Sequence, residues 1–319
     1  MFWSICMAVG IMLAAASAGA QTWPAKPVKV IVPNAPGSTP DVVARLATDR
    51  IAKALGTSFV VENNTAGAGL VAAQTAARAA PDGYTLFVGT ITSFAINPHL
   101  FKSLPYRPEQ DFAGAALIYD GSAQVVAVHP ELPAKNLAEL FALARSGPGR
   151  ISYGADRGLA SIVGEWMKKE AGVDITLIPY KVPTQSLSDT AAGRTQMLII
   201  SIPLIDSMLK AGRLRVLAVS SPKRFPGLPD IPTIAETLPG INASGWSALV
   251  APSGTPVEIL QRFNRATAQV VKDPEYTQRL LGFGLTADSA GTLESIAELF
   301  RSERERWGKI IREAGIKPE

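Results

Sequence analysis

One cysteine, Cys6, and two histidines, His99 and His129, are all the thiol and imidazole chemistry in 319 residues. His99 follows Asn97-Pro98 in an expected loop and His129 precedes Pro130 at a strand end, so both read as turn or surface residues. The chain has no Gly-x-Ser-x-Gly elbow, His-Glu-x-x-His pair, Walker loop or EF-hand loop. Nucleophilic, zinc-hydrolase, nucleotide and calcium chemistry therefore have no positive signal, and no cofactor or metal is expected. Charge is also scarce: 18% of residues are charged, and 31 basic against 27 acidic side chains leave +4. No Lys/Arg block concentrates that excess, so no nucleic acid partner is implied. No apolar run reaches the ~20 residues that cross a bilayer core.

What is present begins with residues 1–20, which carry no charge. The apolar stretch Ile5 to Ala16 and the small-x-small triplet Ala18-Gly19-Ala20 before Gln21 have the form of a cleaved signal peptide, although the n-region lacks Lys or Arg. Cys6 precedes the apolar run, where a lipid-attachment cysteine would follow it. Cleavage after Ala20 leaves a soluble, exported, cysteine-free protein, expected in the periplasm and stabilised by its core rather than by disulfides.

From there strands and helices alternate. Val28 to Val32 reads as a strand stopped by Pro33 and Pro36, followed by a helix with Thr39 as N-cap and Pro40 in the first turn. Val42, Val43, Leu46, Ile51 and Leu55 recur at helical spacing, and Gly56 closes that helix. Strands are expected near 59–61, 84–88, 124–128, 151–153, 176–178, 197–200, 214–219 and 247–250. Helices are expected over 70–80, 137–145, 256–271, 274–281 and 293–313. The proline-rich segment Ser221 to Gly240 keeps enough apolar residues to be an ordered surface connection. This rhythm predicts an α/β protein of two lobes, with 21–122 and 246–319 in one and 123–245 in the other. The chain is expected to cross between them near Gly121–Val125 and Gly245–Val250, forming a hinged cleft.

In open α/β sheets ligands sit beyond the carboxyl ends of strands, where loops meet helix N-termini. Three neutral loops have that position. The first is Asn34, Pro36, Gly37, Ser38 and Thr39; the second holds Thr90, Thr92 and Ser93; the third holds Gly154, Ala155, Asp156, Arg157 and Ser161. First-turn N–H groups lack intrahelical partners and the helix dipole adds partial positive charge, so such ends hold anions without a buried cation. Alternatively, the hydroxyls cap their own helices. Gly67-Ala68-Gly69-Leu70-Val71-Ala72 fits a dinucleotide fingerprint in outline. Glu62 to Ala66 separate it from its strand and no acid ends the next strand, so it reads as a glycine-rich turn before a helix.

Taken in order, several short strings resemble one family. They are Trp23-Pro24-Ala25-Lys26-Pro27-Val28, Ile31-Val32-Pro33 through Pro36-Gly37, Asp41-Val42-Val43-Ala44-Arg45, and Val60-Val61-Glu62-Asn63. Pro81-Asp82-Gly83-Tyr84-Thr85-Leu86, Pro179-Tyr180-Lys181, Leu228-Pro229-Asp230-Ile231-Pro232-Thr233 and Ala251-Pro252-Ser253-Gly254-Thr255-Pro256 continue the series. Over essentially the whole mature chain the protein resembles Bug-type extracytoplasmic solute receptors, the binding components of tripartite tricarboxylate transporters. The resemblance implies a type II periplasmic-binding-protein fold closing on a small organic carboxylate. It also implies a monomeric receptor without enzymatic activity that serves membrane transporter subunits. An enzyme, hydrolase or isomerase, on the same scaffold and a ligand-sensing partner that lost transport are the alternatives. The family's pocket loops map onto the three loops above, and its second-lobe strand end maps onto Ile199, Ile200 and Ser201.

The sequence departs from the family at these loops. The third is about two residues shorter and lacks the usual histidine, Ile200 replaces a common acid, and Val182 replaces a glycine. Loss of that acid, with Ile91 and Phe94 beside the second loop, predicts a pocket for an anion with an apolar or aromatic body. Arg157, whose fork of donors suits a carboxylate, is the candidate cation; alternatively, it pairs with Asp156 at the surface.

Overall fold

The computed structural model describes residues 23–156 and 158–318; the expected leader and Arg157 lie outside the described residues. Two five-stranded sheets carry the fold. The first contains β1 (Val28–Val32), β2 (Phe59–Asn63), β3 (Thr85–Thr90), β4 (Phe112–Tyr119) and β11 (Ser247–Pro252) in the order β2-β1-β3-β11-β4. β1 pairs in parallel with β2 and β3, whereas β11 runs antiparallel to β3 and β4. The second contains β6 (Gln124–Val128), β7 (Ser152–Asp156), β8 (Thr176–Tyr180), β9 (Met197–Ser201) and β10 (Arg215–Val219) in the order β10-β6-β9-β7-β8. Here β6 is antiparallel to both neighbours, and β7 is parallel to β8 and β9.

The chain passes between the sheets from Tyr119 to Gln124 and returns before Ser247. Between them lies a two-stranded ribbon of β5 (Gly121–Ser122) and β12 (Leu285–Thr286). Serine hydroxyls tie these crossings together. Ser122 Oγ accepts the Gly245 N–H at 2.9 Å, Ser244 Oγ accepts the Ser122 N–H at 3.0 Å, and Ser220 Oγ accepts the Gln124 N–H at 2.9 Å.

The helices for which the sequence gives bounds begin within a residue of them, and the first shows one local difference. Helix α1 (Thr39–Leu55) takes in Thr39 itself, and Ser38 stands at the N-cap without a side-chain cap bond. The Ser38 hydroxyl instead donates to the Ala35 carbonyl at 2.6 Å, so the loop's own turn outcompetes capping. Gly56 ends the helix at φ +67°, returning its N–H to the Ala52 carbonyl. Then come α2 (Leu70–Ala77), α3 (Leu137–Ser146), α4 (Leu159–Ala171), α5 (Pro183–Ala191) and α6 (Ile202–Lys210). The last three are α7 (Val257–Val270), α8 (Pro274–Gly282) and α9 (Leu293–Glu313).

Helix α9 buries the stripe Ile296, Phe300, Trp307, Ile310 and Ile311 that its 3.6-residue pattern marks. Each such side chain contributes roughly 1.5–3 kcal/mol on burial. Phe300 lies 4.5 Å from Phe94 and 5.1 Å from Trp246, centroid to centroid, clamping α9 against the helical segment Thr92–Ile96 that follows β3.

Candidate functional site

A cleft of about 550 Å³ opens between the lobes, walled by both sheets' strand ends and floored by the crossings at Ser122, Gln124 and Gly245. A separate hollow beside Tyr180 and Asp189 is walled by the second lobe alone.

The lobe 1 wall grows from the loop after β1. The backbone leaves β1 at Pro33, and Asn34, Gly37, Ser38 and Thr39 line the cleft at the start of α1. The shape of this loop is fixed by Asp41, 2% exposed, whose carboxylate accepts the Gly37 N–H at 2.8 Å, Arg45 Nε at 3.0 Å and Asn63 Nδ2 at 2.9 Å. Asn63 Nδ2 also donates to the Asn34 carbonyl at 3.0 Å. Burial alone would raise the Asp41 carboxyl, but the bonds from Arg45, Gly37 and Asn63 outweigh it and hold the group below its ordinary value. Asn34 Oδ1 is buried and has no hydrogen-bond partner.

Thr90, Thr92 and Ser93 line the cleft beside this loop. Thr90 and Ser93 also serve their own turn: Ser93 Oγ accepts the Thr90 N–H at 2.9 Å and donates to the Thr90 carbonyl at 3.0 Å. Ile91 faces the cleft as expected. Phe94 does not line it; it is 1% exposed and packs among Phe112, Trp246 and Phe300.

On lobe 2, Asp156, Gly158 and Ser201 line the cleft together with the first turn of α4 at Leu159 and Ala160. Burial pushes the Asp156 carboxyl up. The rest of the third loop lies elsewhere. Gly154 and Ala155 sit inside β7, and a Cβ on Gly154 would fall 2.8 Å from the Ser186 Cβ of α5. Ser161 Oγ donates to the Gly158 carbonyl at 3.0 Å and caps its own helix. Pro36 is exposed outside the cleft lining. Ile200 is 3% exposed in the core with Val125, Ala127 and Leu198, so its difference from the family acid does not reshape the cleft wall. The alternation of β9 explains this: Ile200 faces that core, whereas Ser201 at the strand end reaches the cleft.

Several lining residues were not singled out from the sequence. Tyr119, Ser122 and Gln124 come from the outgoing crossing, while Phe283, Gly284 and Leu285 come from the turn between α8 and β12. No local motif marks them; pairing of β5 with β12 brings them in. Ala68 and Gly69 had a signal, the glycine-rich turn. Gly69 has φ +85°, and a Cβ there would lie 2.8 Å from Pro33 Cβ, so only glycine lets this turn abut the first loop.

Helices α1, α4, α5 and α6 all start at the cleft, through Thr39, Leu159, Pro183 and Ser201. Their unsatisfied N–H groups and dipoles give a partly positive interior. Among the described residues that line it there is no Lys, Arg or His, and Asp156 is the one acid. Tyr119, 7% exposed, is pushed up by burial and stays neutral. This arrangement suits reversible capture of an anion by neutral donors.

Two α/β lobes, crossing strands and an interlobe cleft define a solute-binding protein. Residues 43–316 match the tripartite tricarboxylate transporter family receptor, TctC. The chain belongs to that family, a family of substrate-binding receptors rather than enzymes. It is 34% identical to a UPF0065 protein of Bordetella bronchiseptica, covering 97% of this chain and 91% of that protein. Among solved structures, R. palustris Rpa4515 with adipate superposes with a TM-score of 0.83 at 33% identity, covering 93% of this chain and all of that one. MatC from Rhodopseudomonas palustris with bound malate gives 0.77 at 28% identity, covering 91% and 100%.

Proposed function

We propose that the protein is a periplasmic receptor that captures a small organic carboxylate in the interlobe cleft and delivers it, unchanged, to a tripartite tricarboxylate-type membrane transporter. The observation that carries this reading is the convergence of helix N-termini from both lobes on one cleft whose described lining holds no cation. The ligand carboxylate rests on the first turn of α1, with Thr39, Thr90 and Thr92 supplying hydroxyl and N–H donors, while Gly37, Ser38 and Ser93, whose own donors are engaged by Asp41, the Ala35 carbonyl and Thr90, shape the wall around it. Asp156 and Ser201 meet the ligand from the other lobe. Lobe 1 comprises 21–122 and 246–319, lobe 2 comprises 123–245, and the protein works as a monomer that closes about the serine-tied crossings.

A thermal-shift screen of C3–C8 carboxylates tests the reading. A ligand at 100 times its Kd stabilises the folded state by about 2.7 kcal/mol, so the melting temperature rises by several degrees. Absence of a shift with every carboxylate, or catalytic loss of one of them, overturns it.

A further inference from the structure

The cleft presents N–H and hydroxyl donors to an anion, yet two of its polar groups ask for the opposite. Asn34 Oδ1 is a buried acceptor without a partner. Across the cleft, Asp156 is the acid among the described lining residues. Desolvation works against its charged form, a cost that a donating ligand group relieves. The same lining also carries the apolar side chains Ile91, Leu159, Leu204 and Phe283. The titratable groups on the neighbouring strand are already engaged: Tyr180, in register with Asp156, donates its hydroxyl to Asp189 at 2.8 Å, and Asp189 pairs with Arg194. Lys181 follows on the same strand end, and Arg157 is next to Asp156 in the chain.

We propose that Asp156 is a specificity-determining residue, and that the ligand is a monocarboxylate bearing a hydrogen-bond donor, hydroxyl or ammonium, at its far end, received by Asp156 and Asn34. A second carboxylate there would face the Asp156 carboxylate, and like charges repel one another more strongly where protein displaces bulk water. The sequence pointed instead to an anion with an apolar or aromatic body, an expectation that leaned on Ile200, which lies in the core, and on Ile91 and Phe94, of which Ile91 alone lines the cleft. This inference rests on the receptor reading above and narrows its ligand.

Calorimetry with matched series of three to six carbons tests it, for example hexanoate, adipate, 6-hydroxyhexanoate and 6-aminohexanoate at pH 7.5. The hydroxy or amino acid should bind at least tenfold tighter than the plain acid and the diacid of equal length. Asp156→Asn, near-isosteric and checked by an unchanged melting temperature, should erase the preference for the ammonium end and tighten diacid binding at least fivefold. If the ammonium end wins, the ion pair with Asp156 dominates; if the hydroxyl wins, hydrogen bonding to both acceptors does. Tightest binding of a diacid, lost in Arg157→Ala and untouched in Asp156→Asn, overturns the inference and leaves the receptor reading standing. Failure of every carboxylate in every series overturns both.

Discussion

The Gly37 N–H points back into the carboxylate of Asp41 at 2.8 Å, so the loop that forms one wall of the cleft is held by the helix it precedes. Asp41 is a positioning residue: it sets where Asn34, Ser38 and Thr39 stand without itself lining the cleft. Its three hydrogen bonds and its burial make it the joint between local sequence and site geometry.

Asp41→Ala should leave the Gly37 N–H without its acceptor and the Asn63 amide with the Asn34 carbonyl alone. The expected cost is about 1–3 kcal/mol in urea denaturation, together with weaker carboxylate binding. Asp41→Asn keeps the shape but not the charge and should fall between. Wild-type stability in Asp41→Ala would remove Asp41 from this role.

Acid should act through the same group. Its carboxyl is held below its unfolded value of about 3.9, so the folded state binds the proton less readily. The stability this provides is present above that unfolded value and lost as pH falls through the lower folded one. Urea midpoints between about pH 2 and 6 should therefore fall less steeply toward acid in Asp41→Asn than in wild type. Parallel profiles would assign the acid limb to other carboxylates.

Ile200→Val should cost about 0.5–1.5 kcal/mol and Ile200→Ala about 2–5 kcal/mol, because the side chain fills the core of the second lobe. Neither change should alter the order in which carboxylates bind. A changed ligand preference with unchanged stability would put Ile200 in the cleft instead.

The crossings offer a test of motion. Ser122→Ala removes the acceptor of the Gly245 N–H, at an expected cost of about 0.5–1.5 kcal/mol. Gly245→Ala should do more, since its Cβ would fall 2.6 Å from Ser122 Oγ. In small-angle scattering, wild type should shrink on saturation with ligand. Gly245→Ala should shrink less, with binding weakened in proportion. An unchanged radius of gyration in wild type with ligand bound would argue for a rigid cleft.

Much of this architecture is written in short-range patterns. Pro40 and Gly56 mark the beginning and end of α1, and the 3.6-residue stripe from Ile296 to Ile311 marks the buried face of α9. Likewise, Asn34, Gly37, Ser38 and Thr39, though not Pro36, and Thr90 to Ser93 are legible as cleft lining because a strand stop followed by a helix start is a local event. What the sequence left open depends on partners distant along the chain. Ile200 and Ser201 are adjacent, yet strand alternation sends one to the core and the other to the cleft, and only the pairing of β9 with β6 and β7 decides which. Thr90, Ser93 and Ser161 carry the same hydroxyl chemistry, but Ser161 turns wholly to its own helix while the other two also reach the ligand space. Phe283 and Ser122, far apart in the chain, share the cleft because β12 pairs with β5. The sequence by itself determined the elements, their order and the neutral, helix-start character of the site, since these follow from propensity, capping and periodicity. The tertiary structure decided which face of each element meets the ligand, because burial is a property of the assembled surfaces.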